Sequence, residues 1–162
     1  MSGRRDKDVA LLVTTLRDRG RSPAEHDEAI KALGRQGARA VEPLIALLSD
    51  VDADSGARGR AAAALGRVGR VAAGPLISLL KHADANVRGA AASALGLTRS
   101  ARASQALAGA LRDSEAAVRR RAAVALGWLH DPRAAEALTA ALADPDADVR
   151  SAAREALKRL EG

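Results

Sequence analysis

The tripeptide Ala-Leu-Gly returns at Ala32-Leu33-Gly34, Ala64-Leu65-Gly66, Ala94-Leu95-Gly96 and Ala125-Leu126-Gly127, with its glycines 32, 30 and 31 residues apart. An incomplete copy, Ala156-Leu157-Lys158, stands 31 further on. Eight residues before the last four of these marks comes an arginine: Arg58, Arg88, Arg119 and Arg150, with His26 in that place in the first copy. An acid precedes each arginine by four residues (Asp54, Asp84, Glu115, Asp146), and a leucine closes each unit (Leu16, Leu48, Leu80, Leu111, Leu142). A period of this length is the mark of a stacked supersecondary unit that cannot bury its apolar face alone.

Each unit reads as two helices. The first carries apolar residues at helical spacing, as in Val87, Ala91, Ala94 and Leu95. The second carries a stripe such as Ala103, Ala106, Leu107, Ala110 and Leu111. Ala makes up about a quarter of the chain, which favours helix, and its small side chain lets helix axes approach closely. The sequence Ser22-Pro23-Ala24-Glu25 is a capping box with Pro at its first helical position. Pro43 and Pro75 are expected near the start of second helices, and Gly37, Gly69 and Asp131-Pro132 in the turns between paired helices. The expected layout is a disordered 1–5 and one domain over 6–160. That domain divides into a cap helix at 6–19, helix pairs at about 22–49, 54–81, 84–112 and 115–143, and a C-terminal cap helix at 146–160.

The pattern Asp-x-x-x-Val-Arg-x-x-Ala-Ala-x-x-Leu-Gly is best kept at Asp84 to Gly96, Glu115 to Gly127 and Asp146 to Leu157. It resembles the short HEAT-like repeats of the phycobilin-lyase type, over residues 8 to 160. The resemblance implies an all-α, right-handed α-α superhelix, with first helices on the convex face and second helices on the concave one. It also implies a scaffold, or an accessory subunit or chaperone of a cofactor-attaching lyase.

Charge and composition narrow the function. Residues 56–121 carry twelve Lys and Arg against three Asp and Glu, a net of +9, while the whole chain is +6. Arg60, Arg67, Arg70, Arg120 and Arg121 are the basic-zone candidates, suited to an acidic protein or to nucleic-acid phosphates. With Trp128 the sole aromatic residue, no multi-ring stacking site can form, so nucleic-acid binding would be phosphate-driven and nonspecific. Trp128 itself follows the fourth Ala-Leu-Gly, where other units place Arg35, Arg67 and Leu97, and is expected half-exposed. On the concave face implied by the resemblance, counting from the closing leucines gives Arg17, Ser78, Lys81, Gln105, Gly109, Arg112 and Glu136 as partner-binding candidates.

The arginine row Arg58, Arg88, Arg119 and Arg150 is expected to be structural, each bonding acids or carbonyls of a neighbouring unit. His26, His82 and His130 are expected at the surface or in turns. They occupy different repeat positions, so no metal site is expected. No Gly-x-Ser-x-Gly, dinucleotide or phosphate-loop motif is present, and Asp144, Asp146 and Asp148 read as helix-cap acids. The chain has no Cys and no apolar run long enough to span a bilayer. The expectation is a cytoplasmic, non-catalytic interaction scaffold without cofactor, small-molecule substrate or membrane contact. Its partner would be a protein with an acidic surface or helical segment, with nonspecific nucleic acid as the alternative.

Overall fold

The structure is a computed structural model that describes residues 2–161, with side chains described from Asp8 onward. Ten α-helices and two short 3₁₀ segments make up the described fold, and no strand occurs among these residues. A single helix α1 (Ser2–Arg17) precedes the pairs α2 (Pro23–Gln36) with α3 (Ala38–Ser49), and α4 (Ser55–Val68) with α5 (Ala73–Leu79). Next come α6 (Ala85–Leu97) with α7 (Ala101–Ala110), and α8 (Ala116–Leu129) with α9 (Ala135–Ala141). A closing helix α10 (Ala147–Glu161) ends the stack. This is the all-α repeat superhelix that the periodicity predicts. Two boundaries differ: α1 begins at Ser2, so residues 2–5 form its first turn where a tail was expected, and it stops at Arg17. Met1 lies outside the described residues.

Helix starts follow from capping chemistry. Glu25 N–H donates to Ser22 Oγ at 3.3 Å, and Ser22 N–H donates back to Glu25 Oε2 at 2.8 Å. The carboxylates of Asp54, Asp84 and Asp146 accept the first free N–H groups of α4, α6 and α10. The turn from first to second helix falls three residues after each Ala-Leu-Gly, and there the backbone turns to positive φ in all four units. Gly37 (60°) and Gly69 (80°) do so freely, whereas Arg99 (52°) and His130 (50°) adopt the left-handed region without a glycine. Pro43 lies inside α3 instead of in its first turn.

The core is one continuous cluster of Ala and Leu running through the stack. Leu33, Leu65, Leu95 and Leu126 are all fully buried. The glycines of Ala-Leu-Gly are the points of closest approach between successive first helices. A Cβ on Gly96 would lie 2.7 Å from Ala125 Cβ and 2.8 Å from its Cα, and one on Gly66 would lie 2.4 Å from Leu97 Cβ. Gly34 meets Arg67 Cβ at 2.8 Å, and Gly127 meets Ala156 Cα at 3.0 Å. By contrast, the second helices touch one another only sparsely. In a stack of two joined layers, the more closely spaced layer must lie inside the curve. The first helices α2, α4, α6, α8 and α10 therefore line the concave side, and α3, α5, α7 and α9 the convex side. This reverses the assignment that the resemblance implies.

Candidate functional site

The arginine row is structural. Arg88 donates from Nε and Nη2 to the Asp113 carboxylate at 2.8 and 2.9 Å, and from Nη1 to the carbonyls of His82 and Ala83. Arg119 repeats this on Asp144, with the same two distances, and on the carbonyls of Asp113 and Ser114. Arg150 holds the carbonyls of Asp144 and Pro145. Each guanidinium thus closes the loop before its own helix, and in the middle units it also clamps the loop of the next unit. The arginines hold the Asp113 and Asp144 carboxyls below the usual carboxylate range, chiefly by donating to them.

His26 occupies the same place in the first unit. It is buried, and its Nε2 bonds the Asp18 carbonyl at 2.9 Å, so it is a loop clamp and not the surface histidine the sequence suggested. His82 is half-buried at the loop position that Asp113 and Asp144 fill in later units. Its Nδ1 accepts from Asp84 N–H at 3.1 Å, the turn bond that Asp113 and Asp144 make with their carboxylates. It offers no carboxylate to Arg58, which bonds the Asp50 and Val51 carbonyls through Nη2 and keeps a buried Nε with no partner. His130 is exposed in a turn. Among the described residues no three His, Asp or Glu side chains gather as metal ligands. No described helix is long and apolar enough to cross a membrane.

The residues chosen from the closing leucines are all exposed: Arg17, Ser78, Lys81, Gln105, Gly109, Arg112 and Glu136. Arg17 ends α1, and the other six lie on or beside α5, α7 and α9, hence on the convex layer and not on the concave face for which they were chosen. Arg17 is also committed to an ion pair with Asp50. Of the basic-zone residues, Arg60 is spent on structure, its Nε donating to the Leu16 carbonyl at 2.7 Å. Arg67, Arg70 and Arg120 are exposed, and the half-buried Arg121 lays its stem over Gly89, where a Cβ would meet Cδ at 3.0 Å. Arg67, Arg120 and Arg121 stand on concave helices that carry no acid at all: α4, α6 and α8 together contain no Asp or Glu.

Two depressions meet on this concave face. One, of about 240 Å³, runs across α4, α6 and α8 and is lined by Ala62, Ala63, Ala90, Ser93, Leu97, Arg121 and Trp128. Trp128 and Leu97 remain 38% and 41% exposed there, although both are large and apolar. The other, of about 820 Å³, is open and lined by Lys31, Arg35, Arg67 and Arg99, with no acid. Ala63 and Leu97 belong to both, so the apolar groove runs into the basic depression. Sequence reasoning finds Trp128 and Arg67 but does not join them to Lys31, Arg35, Leu97 and Arg99. The common signal is the position just after Ala-Leu-Gly, which gives Arg35, Arg67, Leu97 and Trp128 in order.

A curved stack of helix pairs with Gly and Ala at the inner contacts, clamped by His26 in the first unit and by one Arg in each later one, defines the class of helical-repeat solenoids. Within it, the chain belongs to the HEAT repeats: the HEAT repeats family matches residues 73–158, and the PBS lyase HEAT-like repeat matches residues 27–50. No curated protein matches the chain. Among solved structures it is similar to the complex of CpcE and CpcF of phycocyanin lyase from Nostoc sp., at 24% identity and a TM-score of 0.65, covering 91% of this chain and 96% of that one. Human deoxyhypusine hydroxylase in complex with glycerol aligns at 18% identity and TM-score 0.54, covering 99% and 98%. A designed armadillo repeat protein in complex with the peptide (KR)4 aligns at 20% identity and TM-score 0.52, covering 92% and 80%. At these identities the likeness concerns the fold.

Proposed function

We propose that this chain is a non-catalytic scaffold that binds another protein on its concave face. The observation that carries the reading is the acid-free run of three concave helices, α4, α6 and α8, whose exposed Arg67 and Arg120 and half-buried Arg121 make no ion pair among the described residues. Uncompensated surface charge of one sign raises the rate and selectivity of encounter with a partner of the opposite sign. Two neighbours support the reading by their composition: one is a complex of two lyase proteins and another holds a peptide. That peptide is basic, whereas the face here is basic, so the partner proposed for this chain is acidic. The lyase neighbour also keeps an accessory role beside a lyase-type enzyme in view.

The test is affinity capture with three proteins: wild type, a concave Arg67→Glu/Arg121→Glu variant, and a convex Lys81→Glu/Arg112→Glu variant. A partner retained by the convex variant and lost by the concave one supports the proposal; the opposite pattern refutes it. The second reading, nonspecific nucleic-acid binding, rests on the same arginines. It predicts random-sequence duplex binding whose log–log salt slope steepens with each phosphate neutralised. A duplex that fails to shift at about 50 mM salt removes it.

A further inference from the structure

Resting on the concave-face reading, we infer that the ligand is an acidic polypeptide segment with one large apolar side chain, which seats between Leu97 and Trp128 while its carboxylates lie over the basic depression beside it. The geometry sets this order. A groove lined by Ala62, Ala63, Ala90, Leu97 and Trp128 gives an apolar side chain room and contact, since small lining residues leave depth beside the larger ones. Two large apolar side chains left near two-fifths exposed, in a chain with only one aromatic residue, are a concentrated source of burial for a ligand.

The adjoining depression is lined by four cations, of which only Lys31 has an ion-pair partner, Glu28 at 2.8 Å. Arg35, Arg67 and Arg99 have none among the described residues, and the depression they line shares Ala63 and Leu97 with the groove. Charge complementarity therefore selects carboxylates, and the shared edge places them within a few residues of the apolar anchor. A duplex would satisfy the arginines but would bring nothing apolar to the Leu97–Trp128 gap. That argues for a polypeptide over nucleic acid.

The chain offers its own reporter, because Trp128 is its only Trp and no Tyr is present. The probes are three synthetic peptides without Trp: a Glu-rich peptide with a central Leu, the same peptide with that Leu replaced by Ser, and a Lys-for-Glu version of the first. A random-sequence DNA duplex is the fourth probe. The expected result is a blue shift of Trp128 emission with the Leu-bearing acidic peptide, at least about tenfold weaker binding of the Ser peptide, and no shift with the Lys peptide. Arg67→Gln/Arg99→Gln, checked for native melting by circular dichroism, should weaken the first peptide by about tenfold or more.

The inference is overturned if the Ser peptide binds equally well, if the duplex shifts Trp128 and competes with the peptide, or if the Leu-bearing peptide gives no shift. If the peptide binds but only Lys81→Glu/Arg112→Glu abolishes binding, both this inference and the concave-face reading fall. If affinity capture stays concave-dependent while the peptides fail, only this inference falls.

Discussion

Replacing His82 with aspartate should stabilise the stack, and the reason is visible in the units that follow it. At the corresponding loop position, Asp113 and Asp144 each take two bonds from an arginine, at 2.8 and 2.9 Å, while one carboxylate oxygen also accepts a turn N–H at 2.9 Å. His82 makes only the turn bond, and Arg58 is left with a buried, unpartnered Nε. The carboxylate introduced by His82→Asp would keep the turn and give that Nε an acceptor. Hydrogen bonds to charged groups contribute about 1.5–3 kcal/mol in favourable cases, and the equivalent pairs are shielded, with Arg88 and Asp113 only 13% and 10% exposed. Allowing for the contacts the imidazole gives up, the gain should be about 1–2 kcal/mol, or about 2–8 °C in Tm for a chain of this size.

The assay is a thermal melt followed by circular dichroism at two salt concentrations, in a double-mutant cycle with Arg58→Ala. A gain that disappears in the Arg58→Ala background supports the reasoning. An unchanged or lowered Tm, or a gain that persists without Arg58, refutes it. The reciprocal Asp113→His should lower Tm by a comparable amount.

Three further outcomes follow from the fold. Gly96→Ala should destabilise by about 1–3 kcal/mol despite better helix propensity, because its Cβ would strike the Ala125 backbone, whereas Gly59→Ala in open space on α4 should stabilise by up to about 1 kcal/mol; urea melts of the two variants decide the matter. His130→Gly relieves a left-handed residue and should raise stability by about 1 kcal/mol, and an unchanged melt would contradict that account of the turn. Acid should weaken the stack in a defined direction. Glu25 and Asp54 are held down to about 2, the first by Ser22 N–H and Arg21, the second by Ala57 N–H and Arg19; Asp113 and Asp144 are also lowered, by their arginines. Because these folded values lie below the unfolded ones, the stabilisation is complete above the ordinary carboxylate range near pH 4 and is lost as pH falls through about 2. A melting temperature that stays flat between pH 5 and 2 would contradict this.

Much of the fold is legible because each repeat states the same physical requirement again. The Ala-Leu-Gly glycines mark where helix backbones nearly touch, closing leucines end the pairs, and Asp54 and Asp84 cap the first helices of the second and third pairs. The arginine row can be read as structural from its period, although its acceptors, Asp113 and Asp144, two residues after the closing leucines, emerge only from the packed loops. Curvature is not legible from either helix alone, since it depends on which layer is more closely spaced. The clue lies in the first helices, whose Gly and Ala contacts put them inside; a resemblance-based assignment takes the outer layer for the inner one. His26 reads as a surface residue beside its neighbour Asp27, although its repeat position already marks it as a clamp. The left-handed turns at Arg99 and His130 carry no glycine to announce them. The joining of Leu97 and Trp128 to Arg35, Arg67 and Arg99 needs the helices side by side.

Photo-crosslinking amino acids placed one at a time decide which face works. Ser93 on the concave side should capture the partner, while Ser78 and Gln105 on the convex side should not. Crosslinks confined to Ser78 and Gln105 would show that the outer layer does the binding, and the concave account would be wrong.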